Sequence, residues 1–105
     1  MEKEIYTVDF KNVKGYYDMH RIFKESMEFP HYYGHNLDAL WDCLTDLWWH
    51  GVEIRIYHFE DLQKADAQEA AMVYKILCRL KHCYEDCVNT ASIFIECNGV
   101  TEEIK

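Results

Sequence analysis

At 105 residues, half of them hydrophobic and 15% aromatic, the chain can bury about two thirds of its unfolded surface in one core, which excludes a disordered acidic polymer. Nineteen Asp and Glu against eleven Lys and Arg leave a formal charge of −8, a field that repels nucleic acid and anionic membranes and draws in basic partners. Met1-Glu2-Lys3-Glu4-Ile5 has neither a basic nor an apolar leader region, and no apolar run approaches the ~20 residues of a membrane span. Five cysteines, Cys43, Cys78, Cys83, Cys87 and Cys97, then read as reduced thiols of a cytoplasmic domain.

Ile5 to Phe10 alternates Tyr6, Val8 and Phe10 against Ile5, Thr7 and Asp9, the period of a strand. After Gly15, the residues Tyr16, Met19, Phe23 and Met27 recur at helical spacing until Pro30 closes the segment. An aromatic loop from His31 to Gly34 follows, and Asn36 is placed to cap a second helix. In that helix Leu37, Leu40, Leu44, Leu47 and Trp48 share one arc, the expected core face. His50-Gly51 is expected to end it, before a second strand over 52–57.

Phe59 to Lys64 reads as a short helical turn. Ala70, Val73, Tyr74, Leu77, Leu80 and Tyr84 trace one face of a long helix from Ala67 to about Tyr84. Ala91 to Cys97 reads as a third strand, and residues 98–105 as a polar tail. Strands separated by helices favour parallel pairing with right-handed crossovers. The expected architecture is a single α/β domain over residues 1–105, with a three-stranded parallel sheet packed against about four helices.

The second helix carries the chemistry. Asp38, Asp42 and Asp46 repeat every four residues on one face, with Thr45 beside them and Trp41 at the border of the apolar arc. No Lys or Arg occurs between Glu25 and Arg55. Like charges at this spacing cost roughly 0.2–0.5 kcal/mol per pair, so the ridge is built against helix stability and suits a surface that meets positive charge. An ordinary solvated helix face is the plain alternative.

The run Tyr32-Tyr33-Gly34-His35-Asn36-Leu37-Asp38-Ala39-Leu40-Trp41-Asp42-Cys43-Leu44-Thr45 resembles the signature segment of the barstar family, small cytoplasmic inhibitors of secreted bacterial ribonucleases. A looser match in element order extends over nearly the whole chain. The resemblance implies a three-stranded parallel sheet with helices and a one-to-one complex with a basic ribonuclease. The expected protein is monomeric when free, needs no cofactor or metal, and is not an enzyme. The resemblance places Tyr32 on a catalytic histidine of the nuclease and sets Asp38 and Asp42 against its phosphate-binding cations, with Asp42 central. Trp41 and Thr45 flank these, while Gly34 and Asn36 shape the approach. Tyr33 and His35, the latter in the motif's variable slot, and Asp46 complete the expected partner-binding set. After Thr45 the chain has Asp46 and Leu47 where a glycine and a tryptophan are common, and Arg79 and Cys83 where acidic residues are expected.

Three other readings compete. A barstar-like module could bind a different basic protein, such as a non-ribonuclease toxin or a regulatory partner. Cys78, His82, Cys83 and Cys87 have ligand spacing in pairs, but the two pairs are rotated about 140° apart on one helix, so four ligands do not converge. Six histidines invite general acid–base chemistry, yet no nucleophile pattern or glycine-rich phosphate loop accompanies them.

Overall fold

Alternation of buried and exposed residues makes the sheet one-sided. In the computed structural model, which describes residues 4–48, 51–83 and 92–105, strand β1 (Glu4–Asp9) buries Tyr6 and Val8 and exposes Ile5 and Thr7. Strand β2 (Val52–Tyr57) buries Val52, Ile54 and Ile56 and turns Arg55 outward. Strand β3 (Ser92–Cys97) buries Ile93 and Ile95. The three pair in parallel, with Tyr6 opposite Ile54 and Ile54 opposite Ile93, so the apolar positions line up in rows across one face.

Helices cover that face. Helix α1 (Tyr16–Ser26) buries Met19, His20 and Phe23 and leaves Tyr16 at the surface. Helix α2 (Leu37–Trp48) follows the aromatic loop. Helices α3 (Phe59–Ala65) and α4 (Ala67–Cys83) form the second crossover, and α2 packs on α4. Helix α4 buries Ala70, Val73, Leu77 and Leu80. Tyr74, expected on the same face, is 44% exposed at the edge of the buried stripe, with its ring centroid 6.4 Å from that of Phe59.

The expected polar tail is instead a fourth strand, β4 (Val100–Glu103), antiparallel to β3, so the three-stranded parallel sheet becomes a mixed sheet in the order β1-β2-β3-β4. Asn98 and Gly99 make the turn with φ of 54° and 82°. Positive φ at both central residues is the requirement of the two-residue hairpin turn whose twist matches its strands. Ile104 then returns to the core, 6% exposed, its N–H donating to the Ile93 carbonyl at 2.9 Å. The expected involvement of Tyr84, Cys87 and Ala91, and of His50 in ending α2, falls outside the described residues.

Candidate functional site: the aromatic loop and helix α2

The loop sorts its two tyrosines by direction. The Tyr33 N–H donates to the Pro30 carbonyl at 2.9 Å, closing a turn. Adjacent side chains then part, leaving Tyr32 78% exposed and Tyr33 5% exposed. Tyr33 lies 5.0 Å from the Phe29 ring, centroid to centroid, and its hydroxyl shares a 2.6 Å hydrogen bond with Nδ1 of the fully buried His20. Burial raises the Tyr33 phenol pKa, with Cys43 and Tyr16 adding to the effect. Tyr33 thus anchors the loop from within, while Tyr32 stands free of the core.

His35 is held just as firmly in a left-handed backbone conformation, φ 48°. Its Nδ1 lies 3.1 Å from the Tyr33 carbonyl, Tyr17 stacks on its ring at 4.9 Å, and the Tyr16 hydroxyl donates to its carbonyl at 2.5 Å. Asn36 then starts α2. Its Oδ1 accepts the Ala39 N–H at 2.8 Å and its Nδ2 donates to the Gly34 carbonyl at 3.0 Å. That first bond satisfies one of the orphan amides at a helix start and is worth about 1 kcal/mol. A Cβ at Gly34 would approach Asn36 Nδ2 to 3.1 Å, so any side chain there presses directly on the cap.

Helix α2 is fixed by its other face. Leu40 and Leu44 are fully buried, and Leu37, Ala39, Trp41, Cys43 and Leu47 pack partly against the core. Asp38, Asp42 and Asp46 are all exposed, and among the described residues none of the three forms an ion pair. Burial raises the Cys43 thiol pKa, and the Asp46 and Asp42 carboxylates add to that rise. Thr45 donates its hydroxyl to the Asp42 carbonyl at 2.9 Å, so its lone pairs stay available beside the ridge. Trp41 lies half-buried beneath a cation from α4, with Arg79 Cζ 4.6 Å from the ring centroid.

Tyr32, Gly34, His35, Asn36, Asp38, Trp41, Asp42, Thr45 and Asp46 therefore occupy one loop-and-helix unit, and Tyr33 supports it from below. Sequence reasoning missed His20, Tyr16, Tyr17 and Arg79. His20 had a signal: it lies four residues after Tyr16 and next to Met19 on the apolar side of α1. Nothing in the sequence connects Arg79 to Trp41. Among the described residues no three His, Cys, Asp or Glu side chains are grouped to hold a metal ion. His82 Nε2 lies 2.9 Å from the Lys105 carbonyl, while Cys87, the last of the four side chains weighed as ligands, lies outside the described residues.

The buried imidazole makes the scaffold sensitive to acid. Desolvation, followed by the nearby His35, pushes the His20 pKa down to about 4. His20 Nε2 has no hydrogen-bond partner among the described residues. Between about pH 6.5 and about pH 4 the unfolded chain takes up the proton and the folded chain does not. The stability contributed by neutral His20 is therefore present above the unfolded pKa and lost as pH falls through that window. From pH 7 to pH 5 the loss is about 2 kcal/mol. Denaturant melts at the two pH values should show this loss in the wild type and a much smaller one in His20→Gln. An equal loss in both proteins would remove His20 as its cause.

Comparison with known proteins adds two findings. A family model described as "Barstar (barnase inhibitor)" matches residues 4–96. A Bacillus subtilis (strain 168) protein named "Putative ribonuclease inhibitor YrdF" is 54% identical over 37 residues, 35% of this chain. The matched stretch spans only 37% of that relative's length. Among the described residues no helix is long and apolar enough to cross a membrane.

Proposed function

This chain belongs to the barstar family, and from that premise we propose that it is a non-catalytic inhibitor of a secreted-type bacterial ribonuclease. It acts in the cytoplasm, forms a one-to-one complex and protects the cell that makes the enzyme. The observation that carries this reading is the set of three exposed carboxylates on α2, none of them in an ion pair among the described residues. A ribonuclease cleft is basic because it grips a polyanion and stabilises charge developing on phosphorus. Carboxylates four residues apart on a helix lie about 6 Å from one another, close to a phosphate repeat, and they accept paired N–H bonds from arginine as phosphates do. The ridge therefore acts as a rigid stand-in for successive phosphates. Tyr32, projecting beside it, supplies an aromatic face for the catalytic groups of the cleft.

Rigidity matters because association already costs translational freedom, and any loop ordering adds to that cost. The Tyr33–His20 anchor, the Asn36 cap and the buried leucines of α2 hold the ridge before the partner arrives. Activity at the face itself needs neither metal nor cofactor, since the whole task is to fill the cleft and block RNA.

The test is titration into barnase while RNA cleavage is followed. Inhibition should be complete at one equivalent. With the chain at −8, steering makes association fast and dependent on ionic strength. Going from roughly 0.05 to 0.5 M salt should slow association at least tenfold while dissociation changes by only a few-fold. Salt-independent association in stopped-flow would count against a phosphate mimic. A different basic protein as the true partner is the second reading. It is favoured by Asp46 and Leu47 after the motif and by Arg79 on α4, and it would appear as a failure to inhibit barnase.

A further inference from the structure

Arg79 puts a positive charge against the acidic helix. Its guanidinium lies over the Trp41 ring, 4.6 Å from the centroid, although α2 itself contains no Lys or Arg. Arg79 is exposed, and among the described residues it makes no ion pair or hydrogen bond. Its neighbours one turn away on α4 are Lys75, Ile76, His82 and Cys83, none of them a carboxylate. An arginine with no ion pair among the described residues is unexpected in a chain of net charge −8, where carboxylates are the commoner surface group.

The position over the ring decides what this arginine can do. An indole face attracts the cation without accepting hydrogen bonds in the way an oxygen does, so the five N–H donors of the guanidinium remain available to a partner. A planar fork held this way loses little freedom when it grips a carboxylate through two parallel bonds. The same fixed charge repels any cation set opposite it. Trp41 belongs to the unit that carries Asp38 and Asp42, so whatever covers that ridge passes beside Arg79.

We infer that Arg79, laid on Trp41, is a specificity-determining residue of the inhibitory face: it selects nucleases that set a carboxylate at the rim of their basic cleft and disfavours those with a cation there. This rests on the inhibitor reading above and narrows it. The partner surface is mixed, basic where it meets the α2 ridge and acidic beside it. Discrimination between nucleases then comes from attraction and repulsion at one position, a common route to specificity.

The experiment measures dissociation of barnase from wild type, Arg79→Lys, Arg79→Gln and Arg79→Glu, with Arg55→Gln as a control for net charge. Arg55 lies on the outward face of β2, across the sheet from the helices, and is ion-paired with Glu53. Dissociation rather than association is read because overall charge acts mainly on the encounter. The Arg79→Gln rate should differ from wild type by about fivefold or more, with Arg79→Glu further in the same direction. Faster dissociation means that barnase sets a carboxylate there, and slower dissociation means a cation. Arg79→Lys should fall between wild type and Arg79→Gln, and Arg55→Gln should stay within about twofold of wild type. If wild type inhibits and dissociation ignores the charge at position 79, or responds equally to Arg55→Gln, this inference fails and the inhibitor reading stands. If neither wild type nor Arg79→Glu inhibits barnase, both fail together.

Discussion

Asp42→Ala is expected to weaken the proposed complex with the nuclease by roughly thirtyfold or more and to leave the fold as stable as before, or slightly more so. The two halves of this result have separate causes. In the complex Asp42 would be desolvated opposite arginine or lysine, and its truncation leaves that cation buried without a partner, a loss of about 2–5 kcal/mol. In the free protein Asp42 is exposed and in no ion pair among the described residues. Its removal relieves repulsion from Asp38 and Asp46, about 0.2–0.5 kcal/mol per pair, and alanine suits a helix interior better than aspartate. Thr45 bonds the Asp42 carbonyl rather than its side chain, so that contact survives. Asp38→Ala should act in the same direction but less strongly, because Asp38 lies in the first turn of α2, where the helix dipole already favours a negative charge. Inhibition assays paired with thermal melts check both halves. Unchanged inhibition by Asp42→Ala would remove Asp42 from the interface. A matching fall in stability would mean that the residue serves the fold.

Much of this is legible in the sequence because local rules and the global fold agree there. Asn36 caps α2 through the Ala39 N–H as its position predicts, and the 3.6-residue period places Leu40 and Leu44 in the core. The parallel order of the first three strands follows from their alternation with helices. The fourth strand has a local signal of its own in Asn98-Gly99, a dipeptide suited to a two-residue hairpin turn, but Val100–Glu103 is an exposed edge strand with no apolar alternation to show. Tyr74 departs from the expected core face for a different reason. At the margin of an apolar arc a long amphipathic ring can lie over the stripe or lean out of it, and periodicity does not choose. Arg79 marks the real boundary. Its contact with Trp41 joins residues 38 positions apart through the packing of α2 on α4, and no local pattern encodes which side chains meet across two helices.

Leu40→Ala has the opposite profile, losing about 2–5 kcal/mol of stability with little loss of affinity once folded. Leu40 is fully buried on the core face of α2, so truncation gives up its transfer free energy and leaves a cavity that close-packed neighbours fill only in part. Alanine favours the helix at least as well as leucine, so the loss comes from packing alone. In a domain of this size the thermal midpoint should fall by about 10 °C or more. A domain of total stability near 5–15 kcal/mol still folds with that loss at low temperature, where inhibition can be measured against wild type. Near-normal affinity there would mean that the ridge is positioned by the whole helix, with the Asn36 cap and the Tyr33–His20 anchor compensating for one lost contact. Affinity falling in proportion to stability would mean instead that Leu40 itself sets the height of the Asp38 and Asp42 carboxylates. An unmoved midpoint would show that the core face of α2 is wrongly assigned, and the acidic ridge with it, because the two faces are fixed by the same rotation of one helix.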